Sequence, residues 1–225
     1  MIQNFSDFVD VMMNAGFSMG GGQTDGIYCA IPHSWQENPD GPIQWHTECP
    51  ETDPWEWRMR VLDERDDIAY AKMFFKKSGY ITKEWYPYFL AARRDGAAFE
   101  DAYEAGKVSH NAKRIYDAVS AAGMLAVPDI KRAACFGGDD KAAFDKALVE
   151  LQMGLFLTMC GRKHNPTNGN WSATVFCTTE HFWGGDVFAQ AAKTTKEEAS
   201  EKIRAQIKHL NPDADDKKIK KFIFG

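Results

Sequence analysis

The sequence predicts a mainly helical α+β protein, and three observations carry that prediction. Apolar residues recur at helical spacing in several segments, beginning with Phe5, Phe8, Val9, Met12 and Met13 ahead of Gly16. Two runs rich in apolar, β-branched and aromatic residues, LFLTMC (155–160) and WSATVFCT (171–178), flank the turn-rich GRKHNPTNGN (161–170) and read as a two-stranded ribbon. Three helical patterns precede that ribbon. Three helices followed by a ribbon is the order of a winged helix-turn-helix. With 225 residues the chain has room for one large or two small domains. The patterns divide it into an N-terminal α+β region (1–106), the winged helix-turn-helix (107–185) and a C-terminal helical hairpin (186–225).

In the first region, SMGGGQTDG (18–26) is a glycine loop that matches neither the Walker nor the dinucleotide phosphate pattern. IYCAI (27–31) and IQW (43–45) read as short strands. In WHTECPETDPWEWRMRVLDERDDIAYAK (45–72), Thr52 or Asp53 is a suitable N-cap and Pro54 a suitable first helical residue. A long helix is expected from Pro54 to about Lys77. Trp55, Met59, Leu62, Ala69 and Met73 share its apolar stripe, and so does Asp66. A carboxylate on a buried stripe requires a cation, and Arg93 or Arg94 is the expected partner. YITKEWYPYFLAARR (80–94) reads as a strand end followed by a helix, and GAAFEDAYEAG (96–106) as a further short helix.

The second region contains SHNAKRIYDAVSAAG (109–123), a helix capped by Ser109, then MLAVPDIKRAACF (124–136), a short extended piece leading into a helix. In GDDKAAFDKALVELQMG (138–154), Phe144, Ala147, Leu148 and Leu151 share one face of a third helix. This helix, 139–153, holds the recognition position, with Lys141 and Lys146 as candidate DNA contacts. Asp139, Asp140, Asp145 and Glu150 on the same helix weaken it as a groove reader. Arg162, Lys163, His164, Asn165 and Asn170 on the ribbon and its loop are the stronger candidates. The last region ends in Lys217, Lys218, Lys220 and Lys221, a basic face that can stay solvated or touch phosphate.

Charge is unevenly spread. Residues 1–104 hold 9 Lys and Arg against 18 Asp and Glu, whereas residues 105–165 hold 9 against 6. The mildly basic second half is compatible with a nucleic-acid surface, but an excess of three charges is weak evidence for one. No apolar run is long enough to span a bilayer, and the acidic start lacks the pattern of a signal peptide. The expected compartment is the cytoplasm. The five cysteines are expected to be reduced thiols. Cys29, His33, His46 and Cys49 are zinc ligand types, but two loop histidines and two buried thiols are the favoured account of them, so neither metal nor cofactor is expected.

His46, Asp53, Trp55, Trp57 and Arg58 form an aromatic and charged cluster. Its first expected role is to anchor a helix, with a pocket for a flat group beside it.

TDPWEWRMR (52–60), IAYAKMFFKKSGYITKEWYPYFLAARR (68–94), AKRIYDAVSAAG (112–123) and KALVELQMGLFLT (146–158) resemble the AlkZ-related proteins, winged-helix relatives of the AlkZ/YcaQ DNA glycosylases. The resemblance spans roughly residues 45 to 185. It implies double-stranded DNA as partner and a role in DNA binding or DNA damage. The glycosylases use a Gln-x-Asp or Gln-x-Gln motif, and Gln23-Thr24-Asp25 is the matching triplet here. An amide beside a carboxylate can position a water or stabilise an oxocarbenium-like sugar. The triplet follows three glycines near the N-terminus rather than a winged-helix core, so the expectation is a non-catalytic relative. The alternatives are a glycosylase-like enzyme acting on alkylated bases through Gln23 and Asp25, and a ligand- or protein-binding module on a degenerate winged helix.

Overall fold

A computed structural model describes residues 2–34, 37, 41–164 and 172–225, and for His164 the backbone alone. The protein is α+β, about 52% helical, around a six-stranded antiparallel sheet. Helix α1 (Phe5–Ala15) is capped by the Asn4 side chain and stops at Gly16, whose φ of 83° suits glycine. Strand β1 (Phe17–Met19) follows. Segments 27–31 and 43–45 are not strands. Their apolar residues Ile27, Cys29, Ile31 and Ile43 are buried, but only isolated backbone bonds hold them, such as Met19 N to Tyr28 O and Gln44 N to Thr52 O. The apolar pattern there marks burial without a ladder.

Helix α2 spans Pro54–Glu64. Asp53 is fully buried at its N-cap. One carboxylate oxygen accepts from Trp55 N at 2.8 Å, and the other from Thr47 N at 2.8 Å and Glu48 N at 3.1 Å. The helix expected to reach Lys77 ends thirteen residues earlier, and the chain turns into β2 (Ile68–Phe74) and β3 (Lys77–Thr82). Phe74 pairs with Lys77 across a two-residue turn in which Phe75 and Lys76 both have positive φ, 50° and 62°. That is the geometry a tight hairpin needs, reached without the usual Asn-Gly or Asp-Gly signal. Both faces of β2 are covered, so its near-continuous apolar run fits a helix pattern equally well. Asp66 lies in the exposed link before β2 and needs no cation.

Helices α3 (Tyr86–Arg94) and α4 (Phe99–Glu104) lead into α5 (His110–Ala122). Ser109 caps α5, and Glu150 in turn accepts from the Ser109 amide at 2.6 Å and hydroxyl at 2.8 Å. There follow β4 (Met124–Ala126), α6 (Val127–Ala133), α7 (Lys141–Met153), β5 (Leu157–His164) and β6 (Ser172–Thr178). Two short helices not anticipated from the sequence, α8 (Thr179–Trp183) and α9 (Gly185–Ala191), precede the expected pair α10 (Lys196–Leu210) and α11 (Asp216–Phe224). The strand order is β1-β3-β2-β5-β6-β4, so the ribbon and the N-terminal hairpin share one sheet through Tyr70 of β2 and Met159 of β5.

Arg93 is a part-buried arginine, and its hydrogen-bond partners are not carboxylates. Its guanidinium donates to Met73 O and Met153 O at 2.8 Å and to Phe222 O and Ile223 O at 2.7 Å. Met153 ends α7, and Phe222 and Ile223 lie in the last turn of α11. Two helix C-termini thus aim their unpaired carbonyls and negative dipole ends at one cation. Desolvation pulls the Arg93 pKa down to about 10, which leaves the group charged at neutral pH. Arg94 pairs instead with Glu180 at 2.8 Å.

Replacing Arg93 by Met should cost about 3 kcal/mol or more, because four buried carbonyls lose their donor. Asp66→Ala, on an exposed link, should change stability by less than about 0.5 kcal/mol. Asp53→Ala should cost about 1–2 kcal/mol through the lost cap. Urea denaturation of the three variants reads all three values, and a large loss for Asp66→Ala with none for Arg93→Met would reverse this assignment.

Candidate functional site

A cleft of about 350 Å³ opens between the glycine loop, the start of α2 and the hairpin β2–β3. The loop can lie this close to its neighbours because it lacks side chains. Gly20 N donates to Ser78 O of β3, and Gly22 N to Ile31 O. A Cβ on Gly21, whose φ is 126°, would sit 2.5 Å from the Trp45 ring. The loop then delivers Gln23 and Asp25 to the cleft rim, with Asp25 itself at φ 49°.

Lys77, the first residue of β3, binds both oxygens of Asp25, at 2.8 and 3.1 Å, and lies 3.4 Å from the Gln23 side-chain oxygen. The opposite wall is aromatic. Trp55 is 43% exposed, so its ring is open to a partner rather than used as core. The Arg58 guanidinium stacks on it at 3.4 Å from the ring centroid, held by a bond from Nε to Trp55 O. His46, at φ 62°, sets its ring 5.1 Å from Trp55. Trp45 and Tyr70 complete the lining, and the Trp45 indole N–H is buried without a partner among the described residues. Lys218 of α11 adds a second ammonium nearby. Its Nζ lies 2.7 Å from where a Cβ on Gly26 would sit, so glycine makes room for it.

The arrangement brings together two groups that are far apart in sequence, Gln23 with Asp25 and Trp55 with Arg58. It separates the rest of the expected cluster. Asp53 is spent on capping α2. Trp57 is fully buried, stacked 5.2 Å from Phe8, and donates to Pro50 O. Lys77 and Tyr70 were missed because both lie in the stretch read as a continuous helix. A turn between Phe74 and Lys77 is what aims Lys77 at the loop. Chemically, the cleft offers a stacking surface, an amide and a carboxylate edge, one ammonium and one guanidinium.

The expected DNA contacts are less free. Arg162 reaches Asp63 at 3.1 Å and Glu56 at 4.0 Å on α2, and Lys163 reaches Asp129 at 2.9 Å. Lys163 holds the Asp129 carboxyl below the usual carboxylate range. Lys141 lies 3.9 Å from Asp145 on its own helix, and Lys146 is exposed. The side chain of His164, Asn165 and Asn170 lie outside the described residues. Cys29 is buried and its thiol bonds to Ile31 O at 3.1 Å. Cys29, His33, His46 and Cys49 do not converge, and among the described residues no group of three or more His, Cys, Asp or Glu is placed to hold a metal. Among the same residues no helix is long and apolar enough to cross a membrane.

The model of the AlkZ-related family matches residues 2–224, nearly the whole chain. No curated protein and no solved structure matches. The match extends well beyond the 45–185 span that carried the resemblance, and takes in the glycine loop that lines the cleft. The chain belongs to the AlkZ-related family.

Proposed function

We propose that the protein binds duplex DNA and takes one unstacked base into the cleft at Trp55 without cutting it from its sugar. The observation that carries this reading is the convergence of Gln23, Asp25 and Lys77 with Trp55 and Arg58 on one cleft. An extruded base needs an aromatic face to stack on and polar groups for its edge, and both are present. Phosphates flanking that base need cations: Arg58 and Lys77 line the opening, and Lys218 lies beside Gly26, the residue after Asp25. We read α5, β4, α6, α7 and the ribbon as a winged helix, which the strand order β5-β6-β4 supports. It serves as a frame. The acids on α7 argue against its being the main contact surface.

The absence of catalysis rests on Asp25. Both of its oxygens bind Lys77, so the carboxylate is held toward that ammonium and its charge is already paired. The second reading, a glycosylase-like enzyme, is favoured by the same convergence and is separated by a base-release assay.

Fluorescence anisotropy with a duplex carrying one mismatched base should show binding that weakens steeply with salt. Trp55→Ala should weaken it by about tenfold, the value of one stacked base. Lys77→Ala and Lys218→Ala should each flatten the salt slope by about 1, whereas charge reversal at Arg162 and Lys163 should do little. Alkylated duplex should release no free base. Absence of binding even at low salt overturns the proposal. Base release that is lost in Asp25→Asn would establish the enzyme instead.

A further inference from the structure

We propose that Cys160 and Cys177 form an oxidation site, a thiol pair on the ribbon that a hydroperoxide converts into a cross-strand disulfide. The inference is independent of the DNA reading. The register of β5 and β6 runs Thr158↔Cys177 and Met159↔Phe176, then jumps to Gly161↔Val175. Cys160 is therefore the extra residue of a β-bulge. In a regular ladder its diagonal neighbour Cys177 would be too far for easy closure. The bulge inserts one residue on β5 without one on β6, so Cys160 is displaced from regular register with β6, on which Cys177 lies two residues beyond Val175. The two thiols lie on neighbouring strands, close enough to influence each other's ionisation.

Their surroundings divide the roles. Cys160 is half-buried and open to a small oxidant, whereas Cys177 is fully buried. The contact holds the Cys160 thiol below its ordinary range and pushes Cys177 up, so the accessible sulfur is also the readier thiolate. The buried one then waits beside it as the resolving thiol.

The chemistry balances in two steps. The Cys160 thiolate attacks one oxygen of the peroxide, the O–O bond breaks, and the products are Cys160 sulfenic acid and hydroxide (or the alkoxide of an organic peroxide). The Cys177 sulfur then attacks the Cys160 sulfur and loses its proton, and the sulfenic oxygen leaves as water. Peroxide is reduced by two electrons and the two thiols are oxidised by two. The bridge would sit next to Met159, whose pairing with Tyr70 joins the ribbon to the cleft wall.

The test treats the reduced full chain with one equivalent of hydrogen peroxide, blocks remaining thiols by alkylation, and maps the products by mass spectrometry. The expected product has lost two of its five free thiols and 2 Da per molecule, with Cys160 linked to Cys177. Cys177→Ser, or Cys177→Ala if the serine variant does not fold, should stop at a sulfenic acid on Cys160 that dimedone traps. Cys160→Ser should not form the bridge. Oxidation at Cys49 or Cys135 while Cys160 and Cys177 stay reduced overturns the proposal. So does a sulfinic acid on Cys160 without the bridge.

Discussion

The Arg93 guanidinium is the constraint on which the rest of the architecture depends. One cation gathers a carbonyl from the central strand β2, one from the end of α7 and two from the end of α11. A carboxylate partner would have tied Arg93 to one side chain. Carbonyl partners tie it to three backbone segments at once, and two of these are helix ends that favour positive charge. The cost of burying the charge is offset by four short charge-assisted bonds. Fixing the C-terminus of α11 also fixes its face. With Phe222 stacked 3.8 Å from Phe74 on β2, α11 lies where Lys218 reaches Gly26. The interaction that holds the core thus also places a cation beside the end of the glycine loop.

The cleft itself is assembled from residues in unfavourable backbone conformations. Asp25, His46 and Glu48 all have positive φ without being glycine. Such positions cost on the order of 1 kcal/mol each and persist where the surroundings enforce them. Here the enforcing contacts are visible: Lys77 on Asp25, and the Asp53 cap on the amides of Thr47 and Glu48. Asp53, read as a pocket residue from its neighbours in sequence, supports the pocket from behind. The uneven charge of the chain also takes on a structural meaning. The acidic first half uses Glu56 and Asp63 to hold Arg162, and Asp25 to hold Lys77.

Several elements were legible because one local signal decided them. Asp53 and Ser109 cap the helices that follow them, and Gly16 closes α1. The ribbon was readable from its turn-rich middle. The failures have a common physical origin in tertiary override. IAYAKMF is apolar on both faces, so helix and central strand are equally consistent with it, and the turn at Phe75 and Lys76 carries no glycine or asparagine to announce it. Misreading that turn removed Lys77 from the site and put Asp66 in the core. The site was half legible. Gln23 with Asp25 and Trp55 with Arg58 were visible as separate features, but their meeting depends on a β-hairpin and a terminal helix that bring distant segments together.

The central claim is that the binding surface is the cleft beside Trp55 rather than the exposed face of α7. Amide chemical-shift mapping during titration with a mismatched duplex tests it most directly. The account predicts that the largest shifts fall on Gly20–Asp25, Trp55, Lys77 and Lys218, with α7 nearly silent. Shifts confined to Lys141–Lys146 and the ribbon, with the glycine loop unmoved, would contradict it.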